Sequence, residues 1–145
     1  MQDLPHLYTV AAAAGPNGDI DVSSDGVETI VSGPPQEFGG PGGQWSPETL
    51  LVAAVADCFI LSFRAIARAS KLSWNALSCE VDGKLERSDG MLRFTEFAVR
   101  ATLVAPEETT DERALRILEK ADKSCLVTNS LSSTTRLEAV ISRAS

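Results

Sequence analysis

SPETLLVAAVADCFILSFRAIARASKL, residues 46–72, is the stretch whose reading decides the fold of this chain. Ser46 offers a side-chain oxygen to the free amides of a helix start, Pro47 has its φ already set for a first turn, and Glu48 complements the positive end of the helix dipole. Beyond them Leu51, Val55, Cys58, Ser62, Ala65 and Ala69 recur at three- and four-residue steps, and Leu50, Ala54 and Leu61 widen the apolar stripe. The spacing predicts one long, central, largely buried helix ending near Ala69 to Leu72. Its apolar run is broken by Asp57, Ser62 and Arg64, so nothing approaches ~18 uninterrupted apolar residues and no bilayer span is expected.

Strand patterns flank this helix. Upstream, residues 1–45 are punctuated by turn signals, among them Asp25-Gly26 between β-like segments at Gly18 to Val22 and Val27 to Val31. The glycines at 39–43 read as a linker or as an active-site flap. Downstream, Leu77, Cys79, Val81, Gly83 and Leu85 alternate with polar residues, which predicts a half-buried strand from Ala76 to Leu85 with Cys79 facing the core. A turn at Asp89-Gly90 leads to a second strand, Met91 to Val104, whose apolar parity switches between Phe94 and Phe97; a bulge near Glu96 reconciles the two halves. Thr109 to Glu112 matches a capping box for a second helix running to about Lys123. A last strand is expected from about Thr135 to Ser142.

The composition sets outer bounds. With 145 residues and 43% hydrophobic content the chain is read as a single α+β domain over 1–145 that buries its core without metal or disulfide support. A formal charge of -7, spread along the chain, argues against nucleic acid and anionic membranes as partners. The first twenty residues lack a basic start followed by an apolar run, so a cytoplasmic location is expected. Three widely spaced cysteines, Cys58, Cys79 and Cys125, do not suit a secreted disulfide framework. Each is either an inert core residue or a reactive thiol.

One imidazole, His6, removes most routes to acid-base catalysis, and no Cys-x-x-Cys pair supports a metal site. Thiol chemistry remains. Asp57 precedes Cys58, while Arg64 and Arg68 stand six and ten residues further along the helix, too far to touch it, so a cation that activates this thiol must come from elsewhere. Cys125 follows the second helix, next to Lys123, in a segment read as exposed and mobile; it is a disulfide partner or an incidental loop cysteine.

Three blocks resemble the OsmC/Ohr family of thiol-dependent hydroperoxide-reducing proteins: Gly39 to Gly42 before Ser46 to Leu51, Ala53 to Phe59, and Glu119 to Leu131, where Leu126 replaces the proline of the family's Cys-Pro-Val-Ser-Asn run. The resemblance implies an OsmC-like α+β fold, with antiparallel sheets wrapped around two long helices in an intertwined homodimer. It implies that Cys58 attacks the peroxide and that Cys125 resolves the sulfenic acid as a disulfide. Glu48 takes the place of the family's arginine-pairing glutamate; at ~1.5 Å per residue it lies about 15 Å along the helix from Cys58, so it would serve the partner chain's thiol. Phe59 and Phe63 are expected to line the substrate pocket, a lipoyl-type or thioredoxin-like dithiol to act as reductant, no cofactor to be needed, and Cys79 to be core. One departure stands out. The family's thiolate-stabilising arginine falls where this chain has Pro16, so either Arg64 substitutes or the protein is a non-catalytic stress or small-ligand-binding member.

Overall fold

The structure is a computed structural model and describes residues 1–144. Its contacts group into two compact units, Met1–Leu51 and the chain from Val52 onward. The first holds a small antiparallel sheet, β1 (Ala11–Ala13), β2 (Ile20–Ser23) and β3 (Ile30–Ser32), in that order. Both segments flanking Asp25-Gly26 are thus strands, shorter than the sequence predicts, with Gly26 at φ +79° in the connection. β1, an alanine triplet without alternation, has no sequence signal.

Helix α1 (Pro47–Ala69) starts as expected: the Thr49 amide donates to Ser46 Oγ at 3.1 Å and the Ser46 amide to Thr49 Oγ1 at 2.9 Å, a reciprocal cap. It stops where Lys71 turns left-handed (φ 54°) and the Leu72 amide closes on Ala67 O at 2.9 Å. The buried stripe differs from the one read in the sequence. Val55, Phe59, Phe63 and Ala67, four residues apart, face the core, whereas Cys58, Ser62 and Ala65 lie on another side. The helix is apolar nearly all round, so periodicity alone does not select the packed face. For the same reason α1, despite its broken apolar run, is long and apolar enough to cross a membrane, but its Phe59–Ala67 stripe packs into the core of the second unit.

That core is built on a second sheet, β4 (Ala76–Ser88), β5 (Met91–Ala105) and β6 (Thr134–Arg143), in the order β4-β5-β6. β4 and β5 form a hairpin closed by Asp89 (φ 52°) and Gly90 (φ 78°), two left-handed residues whose twist matches that of the strands. The expected bulge is present: Lys84 pairs with Glu96 but Leu85 with Phe94, which leaves Thr95 as the extra residue.

β6 corrects the expectation of purely antiparallel sheets, because it runs parallel to β5, pairing Val99 with Leu137 and Leu103 with Ile141. Parallel neighbours need a crossover, and α2 (Asp111–Ser124) followed by the short α3 (Leu126–Asn129) supplies it. Three ranks of side chains result, Leu77–Leu103–Ile141, Cys79–Ala101–Ala139 and Val81–Val99–Leu137, and onto them pack Phe59, Phe63 and Ala67 of α1 and Ala114, Ile117, Leu118 and Ala121 of α2. Trp74 meets Phe63 edge-on at 5.1 Å. The cap of α2 sits one residue later than read: Thr110 Oγ1 accepts from the Arg113 amide, while Thr109 is buried and donates to Ser73 O at 2.7 Å.

Candidate active site

The crossover that makes β6 parallel also carries Cys125 to α1. Cys125 ends α2 and begins α3 in one extended residue (φ −64°, ψ 108°), and α3 is braced by Thr128, whose hydroxyl donates to Cys125 O at 3.1 Å. The Leu126 and Val127 amides, in the first turn of α3, have no acceptor within their own helix.

On α1, Ala54, Asp57, Cys58, Leu61, Ser62 and Ala65 follow one another at steps of three, one, three, one and three, which places them along one face. Together with Leu126 and Val127 they line an open groove of about 450 Å³. Its walls are apolar apart from Asp57, Ser62 and the Cys58 sulfur.

Both thiols are free, and their surroundings differ. Burial pushes the Cys58 thiol up, but the Val127 amide, the Cys125 thiol, the Ser62 hydroxyl and the Leu126 amide donate toward its sulfur and together hold it below the ordinary cysteine value. Ser62 Oγ stands 3.9 Å from that sulfur. Cys125 is only 2% exposed, which corrects its reading as an exposed thiol. Burial raises it above the ordinary value, the Thr128 amide and hydroxyl oppose that rise, and the adjacent Cys58 sulfur adds to it. Thiolate character is thereby concentrated on Cys58, the sulfur that faces the groove.

The remaining candidates fall elsewhere. Phe59 and Phe63 are packed in the core at 1% and 0% exposure and do not line the groove, since on a helix the position next to Cys58 is turned about 100° away. Arg64 is exposed, and neither the groove nor the donors to Cys58 include it. Glu48, in the first turn of α1, has a buried Oε1 without a hydrogen-bond partner among the described residues. Cys79 is half-buried against the core, donating to Ala56 O at 3.7 Å, and burial raises its thiol. Sequence reasoning missed Ser62, Leu126 and Val127 as donors. The i,i+4 spacing of Cys58 and Ser62 was a usable signal; nothing in the sequence points the two amides at Cys58. Among the described residues no group of three or more His, Cys, Asp or Glu side chains is arranged to hold a metal ion.

Comparison with known proteins agrees with this architecture. The family model described as OsmC-like protein matches residues 40–140. A Bacillus subtilis protein, the uncharacterized protein YmaD, is 25% identical over 136 residues, covering 92% of this chain and 91% of its own. Among solved structures, an OsmC-like protein of unknown function from Vibrio cholerae superposes with a TM-score of 0.85 at 17% identity, covering 94% of this chain and 100% of that one. A Legionella pneumophila protein described as an organic hydroperoxide resistance protein OsmC gives 0.75 at 24% identity, covering 97% and 99%. At these identities the structural likenesses establish the fold. The family match spans α1, α2, the groove-facing Cys58 and the buried Cys125, and this chain belongs to the OsmC-like family.

Proposed function

We propose that this protein is a thiol-dependent peroxidase that reduces organic hydroperoxides. The observation that carries the reading is the unequal thiol pair: a groove-facing Cys58 held below the ordinary value beside a buried Cys125 held above it. In the reaction the Cys58 thiolate attacks the distal peroxide oxygen, the O–O bond breaks, and the alkoxide takes a proton and leaves as an alcohol. Cys58 is then a sulfenic acid. The Cys125 sulfur displaces its hydroxyl as water, forming the Cys58–Cys125 disulfide, and an external dithiol of the lipoyl or thioredoxin-like kind returns both thiols. Each thiol bears on the other's pKa, so the two sulfurs are close neighbours from which a disulfide can close.

The same reading takes the chain as one OsmC-like domain working in the cytoplasm as an intertwined homodimer. Leu61, 53% exposed on the groove face of α1, leaves apolar surface for a second copy to cover, and Glu48, with its unpartnered buried oxygen, would meet the partner's site. The departure at Pro16 favours a second reading, a non-catalytic ligand-binding protein, whose Cys58 would titrate like a free thiol.

Intact-mass spectrometry after one equivalent of cumene hydroperoxide separates the two. The peroxidase loses two hydrogens, mapped to Cys58 and Cys125; Cys125→Ser instead gains one oxygen on Cys58, and Cys58→Ser does neither. A wild type that consumes peroxide no faster than free thiol ends the proposal.

A further inference from the structure

The groove carries a charge beside its reacting atom, and the sign of that charge bears on what enters. Asp57 directly precedes Cys58 on α1, is exposed, and stands in the groove wall; among the described lining residues there is no lysine, arginine or histidine. Apart from the Ser62 hydroxyl and the Leu126 and Val127 amides directed toward Cys58, its neighbours in the wall are alkyl groups, which do not screen a charge. A ligand whose negative charge lies within a few ångströms of the atom that meets the Cys58 sulfur therefore brings that charge into the groove that Asp57 lines, where no lining side chain is cationic.

We infer that Asp57 sets the charge selectivity of this site, so that Cys58 reacts with uncharged hydroperoxides and disfavours those that carry a carboxylate close to the peroxide group. The substrate class rests on the peroxidase reading above; the charge selectivity of access to Cys58 does not. Like unit charges held several ångströms apart at a partly solvated surface correspond to roughly two- to tenfold in rate, more at low salt than at high. Asp57→Asn removes the charge and keeps the shape at an exposed position.

Two assays on the reduced full-length protein test this. In the first, Cys58 is alkylated in parallel with neutral iodoacetamide and anionic iodoacetate, and the product at each cysteine is quantified by mass spectrometry. The ratio of the two rates at one pH cancels any change in thiolate population. In the wild type the iodoacetate-to-iodoacetamide ratio at Cys58 is expected to lie below that of N-acetylcysteine, and in Asp57→Asn to rise about threefold, with the gain shrinking as salt is raised. The ratio at Cys79 serves as internal reference and stays fixed. In the second, Cys58 oxidation by a short-chain hydroperoxide that carries its carboxylate within a few carbons of the peroxide group is compared with oxidation by its methyl ester, and the substitution accelerates the acid selectively. An unchanged Cys58 ratio in a folded Asp57→Asn protein overturns the inference. An alkylation ratio that shifts while neither hydroperoxide outpaces free thiol overturns the peroxidase reading and sustains Asp57 as the charge filter of this thiol.

Discussion

Leu126→Pro is the substitution that most directly tests how Cys58 is activated. Leu126 stands where the family signature has proline, and unlike proline it brings a backbone N–H, one of four donors toward the Cys58 sulfur. The exchange suits the local backbone. Leu126 opens α3, where an amide has no intrahelical acceptor, and Cys125 before it is extended, as a residue preceding proline must be. The Leu126 side chain is 70% exposed, so little apolar burial is lost.

A hydrogen bond to a charged acceptor is worth about 1.5–3 kcal/mol. Leu126 is one of four donors and the sulfur is partly open to water, so a screened value of about 0.7 kcal/mol applies, which corresponds to about threefold in an equilibrium at about 1.4 kcal/mol per tenfold. The pH profile of Cys58 alkylation by iodoacetamide, which in the wild type is expected to turn over below the ordinary cysteine value, then shifts upward. Well below the midpoint the rate drops about threefold. Thermal melting is expected to be unchanged or slightly higher, since proline restricts the unfolded chain. An unshifted midpoint in a normally melting Leu126→Pro protein would refute the amide as a donor.

Two further substitutions probe the frame around the site. Gly83→Ala places a Cβ 2.7 Å from Val52 Cγ2 and 3.0 Å from the rings of both Phe94 and Phe97, which are themselves stacked at 5.4 Å; we expect a loss of about 1–3 kcal/mol and a melting point roughly 3–10 °C lower, against the gain that alanine gives in an uncrowded strand. Burial raises the Asp122 carboxyl pKa, with Thr135 and Lys123 opposing; the folded state thus holds this proton more tightly than the unfolded chain, and stability falls as pH rises from the ordinary carboxylate value through the raised one. Asp122→Asn removes that loss, so in urea unfolding its stability relative to wild type should improve between roughly pH 4 and roughly pH 7, and an equal difference at both would contradict the assignment.

Local signals in the sequence were strong wherever one residue type settles a conformation. Ser46-Pro47, Asp89-Gly90 and the parity switch near Glu96 lead to a helix start, a tight hairpin and a bulge at the expected places. Signals that depend on what packs against a segment were weaker. α1 offers apolar residues on nearly every side, so the choice of the Phe59–Phe63 face over the Cys58 face is made by the sheet and α2. The parallel direction of β6 likewise leaves no mark in its own alternation, which is the same for either direction. For the site, both cysteines were legible from their blocks, whereas the agents that depress the Cys58 pKa were not: the sequence reading looked for a cation, and main-chain amides have no letter in a sequence.

The parallel pairing of β6 with β5 has a consequence for the order in which the protein is assembled. The β4–β5 hairpin closes over a two-residue turn, but β6 can dock only after residues 106–133 have been made and looped back, and a closure of that length is entropically later than a hairpin. α3, which delivers the donors to Cys58, lies inside that late loop. On a ribosome Cys58 therefore emerges before the segment that lowers its thiol pKa, so an unfinished or truncated chain carries this cysteine without the setting that distinguishes it from an ordinary thiol.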